Sequence, residues 1–377
     1  MAKIFYSVAG EGRGHATRVR AVVEQLRSEH QIVIFAPDDA FDLLAPLYAG
    51  TAVRVVRIPG LRFEYGTDRA VSLWRTAAGA LSYMATLPAL IDRLERAINE
   101  ERPDLVVTDF EPSLARAAVR RGVPFVSLDH QHFLAVSDFS HLPKLLQARA
   151  ALLGGIVELF YKGQETTIVS SFCFPHLRPR LGRVVEVGPM LRPQILRASR
   201  EHGEHLVVYV RKFCSERLID ALKASGREVR FYGLGAQPSA GNIHFYAIEE
   251  RRFVEDLASS HAVVTTAGNQ LLGEALYLQK PVLALPEPGN CEQLIHAHLL
   301  AREATGEWTD FERVSAGIVR RFLARVEHYR SRIVPERMNG NAAALAELRR
   351  HLPLSVAPLG AWVRCGTQAA GAERLPV

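Results

Sequence analysis

Two doubly wound α/β domains facing each other across a cleft are the fold this sequence predicts, on three observations. Short β-branched runs alternate with helix-periodic stretches from Ile4 to Gly188, the alternation starts afresh at Leu206, and 377 residues exceed what one hydrophobic core usually serves. The first series places strands at 4–9, 32–37, 53–59, 105–109, 125–129, 167–172 and 184–188, so residues 1–191 read as one Rossmann-like domain. The polar stretch 192–205, with Pro193 and Gly203, reads as the linker. Strands at 206–210, 229–232, 243–247, 262–266 and 282–285 then build a second domain over 205–330. Residues 311–352 have helical character, and the tail 353–377 lacks a periodic apolar pattern, which predicts mobility.

Composition narrows the function. The chain is 48% apolar and 23% charged, as a globular protein is. Its net charge of +6 is spread over many arginines without a basic block or aromatic-basic interleaving, so a nucleic-acid surface is not expected. Attraction of an anionic substrate or lipid surface is the milder inference. Cys173, Cys214, Cys291 and Cys365 show no C-x-x-C or metal-like spacing, which argues against a disulfide or zinc framework and for a reducing cytoplasm. The apolar run before Gly10 is too short for a secretory signal. The longest uncharged stretch, 76–91, falls short of the ~20 residues of a membrane span and contains Gly79 and Pro88.

Residues 262–298 carry the chemistry. A buried parallel strand ends at Thr266, and Ala267-Gly268 opens a turn in which glycine admits a close ligand. Asn269 and Gln270 then start a helix whose free N–H groups and positive dipole end suit a pyrophosphate, worth about 0.3–1 kcal/mol on the surface. Glu274 can accept from both ribose hydroxyls. Gly289, Asn290, Glu292 and Gln293 follow the next strand, at the carboxyl edge where open α/β sheets bind ligands.

In order and spacing this segment resembles the GT-B glycosyltransferases, specifically the inverting group of the UDP-glycosyltransferases and the peptidoglycan lipid-intermediate GlcNAc transferase. The elements of the resemblance are Thr266-Ala267-Gly268, Glu274, Gln279-Lys280-Pro281, Pro286 and Glu292-Gln293, with Ala267 standing where the family often has glycine. It extends over roughly residues 1–350. It implies a nucleotide-sugar donor, best a UDP-sugar, as substrate, with no cofactor. Donor contacts fall on Gly12, Gly14, Ile248, Ala267, Gly268, Asn269, Gln270, Glu274, Glu292 and Gln293, with Ile248 near the nucleobase. It also implies that a helix over 331–352 returns to the first domain.

After the first strand comes Gly10-Glu11-Gly12-Arg13-Gly14-His15. A dinucleotide G-x-G-x-x-G fingerprint would need glycine at position 15, which speaks against a dehydrogenase even though Asp38 and Asp39 follow the second strand. In the resembled family this turn presents a histidine to the acceptor hydroxyl and a strand-end aspartate orients it. His15 and Asp109 match those positions, as general base and partner. Helix capping by His15 and a turn role for Asp109 are the plain alternatives. Retaining members carry a second Glu eight residues before the ribose Glu. Position 266 is Thr, so inversion is implied, and the chain has no D-x-D triplet. Arg13, Arg211 and Lys212 are further candidates to meet the diphosphate.

The acceptor side is open. His130 and His132 lie where an acceptor would enter, and an H-x-H pair can bind metal, but the sequence offers no evident third ligand, so no metal site is expected. Leu73, Trp74, Ala77, Leu81 and Met84, and again Leu145, Leu152, Ile156, Leu159 and Phe160 beside Lys144, Arg149 and Lys162, recur at helical spacing. These faces either pack on the first sheet or rest on the inner face of an anionic membrane. The hydroxyl acceptor, lipid or other, is not read from sequence. A sugar-nucleotide 2-epimerase of the same fold and a non-catalytic nucleotide-sugar-binding protein are the alternative functions.

Overall fold

The computed structural model describes residues 1–10, 13–60, 73–179, 182–211 and 214–353, over 73–81 as backbone only. The first sheet is built by β1 (Lys3–Val8), β2 (Gln31–Ala36), β3 (Arg54–Arg57), β4 (Leu105–Asp109), β5 (Phe125–Asp129), β6 (Thr166–Ser170) and β7 (Arg183–Val187), in the order β3-β2-β1-β4-β5-β6-β7. Every pairing in it is parallel. Between these strands run α1 (Arg13–Leu26), α2 (Asp38–Tyr48), α3 (Leu73–Glu101), α4 (Pro112–Arg121), the short α5 (Phe133–Val136) and α6 (Lys144–Phe160).

The linker holds one turn of helix, α7 (Pro193–Arg197). The second sheet takes β8 (Leu206–Tyr209), β9 (Val229–Tyr232), β10 (Gln237–Ala240), β11 (Ile243–Tyr246), β12 (Ala262–Thr265), β13 (Val282–Ala284) and β14 (Gly306–Trp308), in the order β10-β11-β9-β8-β12-β13-β14. Its helices are α8 (Glu216–Lys223), α9 (Glu250–Ser259), α10 (Asn269–Tyr277), α11 (Cys291–Arg302), α12 (Ala316–Ala324) and α13 (Val326–Arg330). After a 3-10 turn at Pro335–Met338 comes α14 (Asn341–Arg350).

The topology explains why this fold makes a cleft. In each sheet the strand order reverses once, between β1 and β4 in the first and between β8 and β12 in the second. Helices leave a reversal point on opposite faces and open a crevice beyond the carboxyl ends of the strands. The residues after β1, β4, β8 and β12 therefore border the same space. Strands such as Leu105–Asp109 and Ala262–Thr265 are buried along their whole length, as parallel strands covered on both faces must be.

The structure departs from the sequence reading at two sheet edges and in the last helical stretch, and it decides which residues of α6 pack inward. Gln237–Ala240 pairs antiparallel with β11 and Gly306–Trp308 extends the other edge, and neither was foreseen: the first is polar and exposed, the second only three residues long. The helical stretch 311–352 is divided by breaks at 325 and 331–340 into α12, α13 and α14. On α6, Leu146, Ala150 and Val157 pack inward, while Leu145, Leu152, Ile156 and Leu159 are exposed, as is Met84 on α3. The side chains of Leu73, Trp74, Ala77 and Leu81 lie outside the described residues. Among the described residues no helix is long and apolar enough to cross a membrane.

α14 contributes Ala344, Leu345 and Leu348 to the core formed by β1, β4 and α1 of the first sheet. The chain crosses between the sheets twice, at Gly188 and at Gly340, and a Cβ on either would meet the backbone of the other crossing. Glycine at both is what allows the two crossings to touch.

Candidate active site

β1 and β4 are neighbours in register, Val8 beside Asp109, so the helix that follows β1 begins next to the last residue of β4. His15, in the first turn of α1, thereby meets Asp109: Nδ1 lies 2.7 Å from Oδ1. A carboxylate only accepts, so Nδ1 carries a proton and the tautomer of the neutral ring is the one with its lone pair on Nε2. The side-chain amide of Gln131 stands 3.4 Å from that Nε2. Asp109 is fully buried, and His15 keeps 14% of its side chain exposed. Neither plain alternative describes this geometry, since His15 sits inside α1 and the Asp109 carboxylate reaches across to another element.

Arg18, one turn along α1, was missed in the sequence. Its Nε donates to Asp109 Oδ2 and its Nη2 to Oδ1, both at 2.7 Å. This bidentate pair, 3% exposed on the arginine side, holds the carboxylate in one plane. The i, i+3 spacing of His15 and Arg18 puts both on the face that looks at β4, the signal that could have revealed it.

His15 and Arg18 line a cavity of about 460 Å³ between the sheets, and Asp109 lies buried behind them. Gly14, His15 and Gln131 border it from the first domain, and Ile248, Phe253, Thr266, Gly268, Glu274 and Glu292 from the second. Arg13 and Arg211 also line it, and Lys212 and Gly12 lie outside the described residues. Among the described residues a Cβ at Gly268 would meet nothing within 4 Å, so the backbone at the start of α10 is open to close approach. Gly14 faces Gln270, whose Cβ is 3.7 Å from where its own would stand, and this brings the two helix N-termini together.

The remaining predicted donor residues divide. Glu274, 2% exposed, accepts from Arg192 Nε at 3.1 Å and Nη2 at 2.9 Å, and from Gln270 at 3.2 Å. Arg192 also reaches Glu250, which Arg20 holds at 2.6 and 2.8 Å, so an ionic chain runs from α1 to α10. Asn269 is turned to the first domain: its amide donates to the Ser170 carbonyl at 3.1 Å and its oxygen faces the Phe172 N–H at 3.3 Å. Gln270 likewise donates to the Met190 carbonyl. Both residues line the cavity while their side-chain amides donate to the first domain. Ala267 is buried with φ 65°, a backbone conformation glycine prefers, and it does not line the cavity. Gln293 does not line it either, since its amide grips Glu287 at 2.8 and 3.1 Å.

The two acceptor-side histidines part company. His132 points away from the cavity to Asp129, 2.8 Å distant, beside Ser127 and Tyr161. Asp129 is buried, yet His132 and its neighbouring donors hold its carboxyl below the usual range against that burial. His130 lines the cavity and meets His296 of α11, Nε2 to Nε2, at 2.7 Å. Burial pushes both imidazoles below the ordinary histidine range, with His296 adding to the effect at His130.

The fold of two doubly wound sheets recurs in known proteins. A glycosyltransferase of Methanosarcina acetivorans is 22% identical over 387 aligned positions that cover 93% of this chain and 97% of the relative. The structure of Phytolacca americana UGT2, complexed with UDP-2-fluoro-glucose and pterostilbene, superposes with a TM-score of 0.66 at 15% identity, covering 93% of this chain and 99% of the other. Acinetobacter baumannii MurG does so with a TM-score of 0.59 at 14% identity, covering 93% and 100%. These solved structures share the GT-B fold. Residues 2–327 match the profile of Glycosyl transferase family 1, and the chain belongs to that family and is a glycosyltransferase.

Proposed function

We propose that the chain transfers a sugar from a nucleoside diphosphate, UDP before others, to a hydroxyl acceptor with inversion at the anomeric carbon, as the lack of a second Glu at position 266 suggests. The acceptor oxygen attacks the anomeric carbon, its proton passes to His15 Nε2, and the bond to the diphosphate oxygen breaks. Asp109 holds His15 in the tautomer that leaves Nε2 free and steadies the imidazolium that forms. The backbone at Gly268, Asn269 and Gln270, with Arg13 and Arg211, meets the diphosphate charge, so no metal is required there. Glu274 takes the ribose hydroxyls, Ile248 and Phe253 flank the base, and Glu292 reaches the sugar.

The observation that carries this reading is the 2.7 Å His15–Asp109 bond on a cavity whose opposite wall is the open end of α10. The UDP-sugar in the Phytolacca americana neighbour supports the choice of uridine. The exposed leucines of α6 beside exposed Lys144 and Arg149 support contact with an anionic lipid surface, and hence a lipid-linked or otherwise apolar acceptor.

The test is nucleoside diphosphate release from a panel of UDP-, GDP- and dTDP-sugars, with and without phenolic and lipid acceptors, by the wild-type chain and His15→Ala. Release that needs an acceptor and falls about 10²–10⁴-fold in the variant is expected. Turnover of the donor to an epimer without acceptor, or equal rates in both proteins, overturns the reading.

A further inference from the structure

One contact between the domains is unbalanced as hydrogen bonding. His130 Nδ1 lies 2.8 Å from the Ser170 carbonyl and His296 Nδ1 2.9 Å from the Ala267 carbonyl. Carbonyls only accept, so both Nδ1 atoms carry protons and both neutral rings present bare Nε2 lone pairs. Those lone pairs face each other at 2.7 Å in a site where the rings are 2% and 0% exposed. Two acceptors so close repel, and a cation between them removes the conflict. A third donor is at hand: Glu292 Oε1 is 4.0 Å from His130 Nε2, and the three ligand atoms all lie within 4.8 Å of one another.

We propose that His130, His296 and Glu292 bind one divalent first-row transition cation of the zinc class, and that this ion fastens the two domains together. Two imidazoles and a carboxylate are a borderline-soft set suited to such an ion. The backbone carbonyls that hold each Nδ1–H fix tautomer and ring plane, as the partners of metal-bound histidines do. A tetrahedral ion with bonds of about 2.0–2.1 Å sets two nitrogens about 3.3 Å apart, so the rings part by about 0.6 Å on binding. His130 follows β5 in the first domain while Glu292 and His296 are on α11 in the second, so the ion bonds to each side. His130 and Glu292 line the cavity, and the fourth position opens there to water or a substrate hydroxyl. The H-x-H pair of the sequence thus supplies one ligand, and the second comes from a helix 166 residues further on. The inference stands on this cluster and does not depend on His15 as base.

The experiment is metal binding by the full chain. Chelator-stripped protein is titrated with Co²⁺ and followed by its visible ligand-field absorption, then displaced with Zn²⁺, alongside His130→Gln, His296→Gln and Glu292→Gln, each checked for folding by circular dichroism. Saturation at one Co²⁺ per chain with a four-coordinate spectrum, lost in both histidine variants and weakened in Glu292→Gln, is expected. Zn²⁺ should also raise the melting temperature of the wild type and not of His296→Gln. Where a histidine variant does not fold, Glu292→Gln, whose carboxylate is partly exposed, decides the matter. No stoichiometric uptake, uptake equal in wild type and Glu292→Gln, or a far-downfield shared-proton resonance that persists with excess Zn²⁺ overturns the proposal.

Discussion

At the scale of the residue, the site turns on what each charge is anchored to. Asp109 serves both His15 and Arg18, so its loss has two consequences that separate it from His15. Asp109→Asn frees the imidazole to take the wrong tautomer and leaves the Arg18 guanidinium, 3% exposed, without a charged partner. Activity should fall by at least about 10²-fold, and stability by about 3 kcal/mol in urea denaturation, whereas His15→Ala should lose activity at nearly wild-type stability. A variant that loses stability without activity would remove Asp109 from the chemistry. Glu274 is the second test. It spends its lone pairs on Arg192 in this structure, and a ribose must share or take them. Glu274→Ala should weaken UDP binding by calorimetry about 10- to 100-fold, as expected for hydrogen bonds to a charged group. An unchanged Kd would reassign the ribose. His15 and Asp109 could be paired from the sequence because one stands in the glycine-rich turn after the first strand and the other ends the fourth, positions that match the resembled family. Arg18 and His296 were not, because an arginine or histidine within an amphipathic helix reads as surface until the fold shows what it meets. Gln293 reads as a ligand contact from spacing alone, and only the structure reveals that its amide is already committed to Glu287.

At the scale of the element, the edges of the two sheets were the hard part. Strands such as Leu105–Asp109 and Phe125–Asp129 are buried end to end and announce themselves by short, mainly apolar, β-branched or aromatic runs. β10 and β14 carry no such signal: an edge strand needs a neighbour's ladder more than its own side chains, and the sequence Gln-Pro-Ser-Ala looks like a loop. β7 is the edge of the first sheet and is only partly covered, and it holds Glu186, whose Oε1 is buried with no hydrogen-bond partner among the described residues. Burial pushes this carboxyl up to about 7, so the folded state prefers it protonated. A folded pKa above the unfolded value of 4.5 gives a contribution that is complete below that value and is lost as pH rises through about 7. Wild-type stability should therefore decline across that window relative to Glu186→Gln, which has no proton to lose. Urea midpoints at pH 5 and pH 8 measure it, and the variant's advantage should grow from the lower to the higher pH. An equal offset at both would mean that the Glu186 carboxylate is solvated in solution.

At the scale of the whole molecule, the order of strands fixes where the chemistry sits, and the returning end of the chain fixes how the halves are held. Two reversals of strand order aim at one space, which is why residues as far apart as 15, 268 and 274 line one cavity. Less legible was the ending, where one helical stretch becomes three helices, since tertiary packing rather than periodicity decides the breaks at 325 and 331–340. The last of these, α14, lies beyond the 2–327 span of the family profile yet completes the first domain's core with Leu345 and Leu348, and its Glu347 pairs with Arg183 of β7 at 2.6 Å. Burying two leucines is worth about 3–6 kcal/mol, a large share of the 5–15 kcal/mol that typically separates folded from unfolded chains. A chain ended at Gly340 should accordingly keep the second sheet's slow amide exchange while β1, β4 and α1 lose theirs. If exchange accelerates equally in both sheets, the two halves unfold as one unit and α14 stabilises the whole rather than the half it packs on; if neither changes, its leucines contribute nothing that the rest of the core does not already supply.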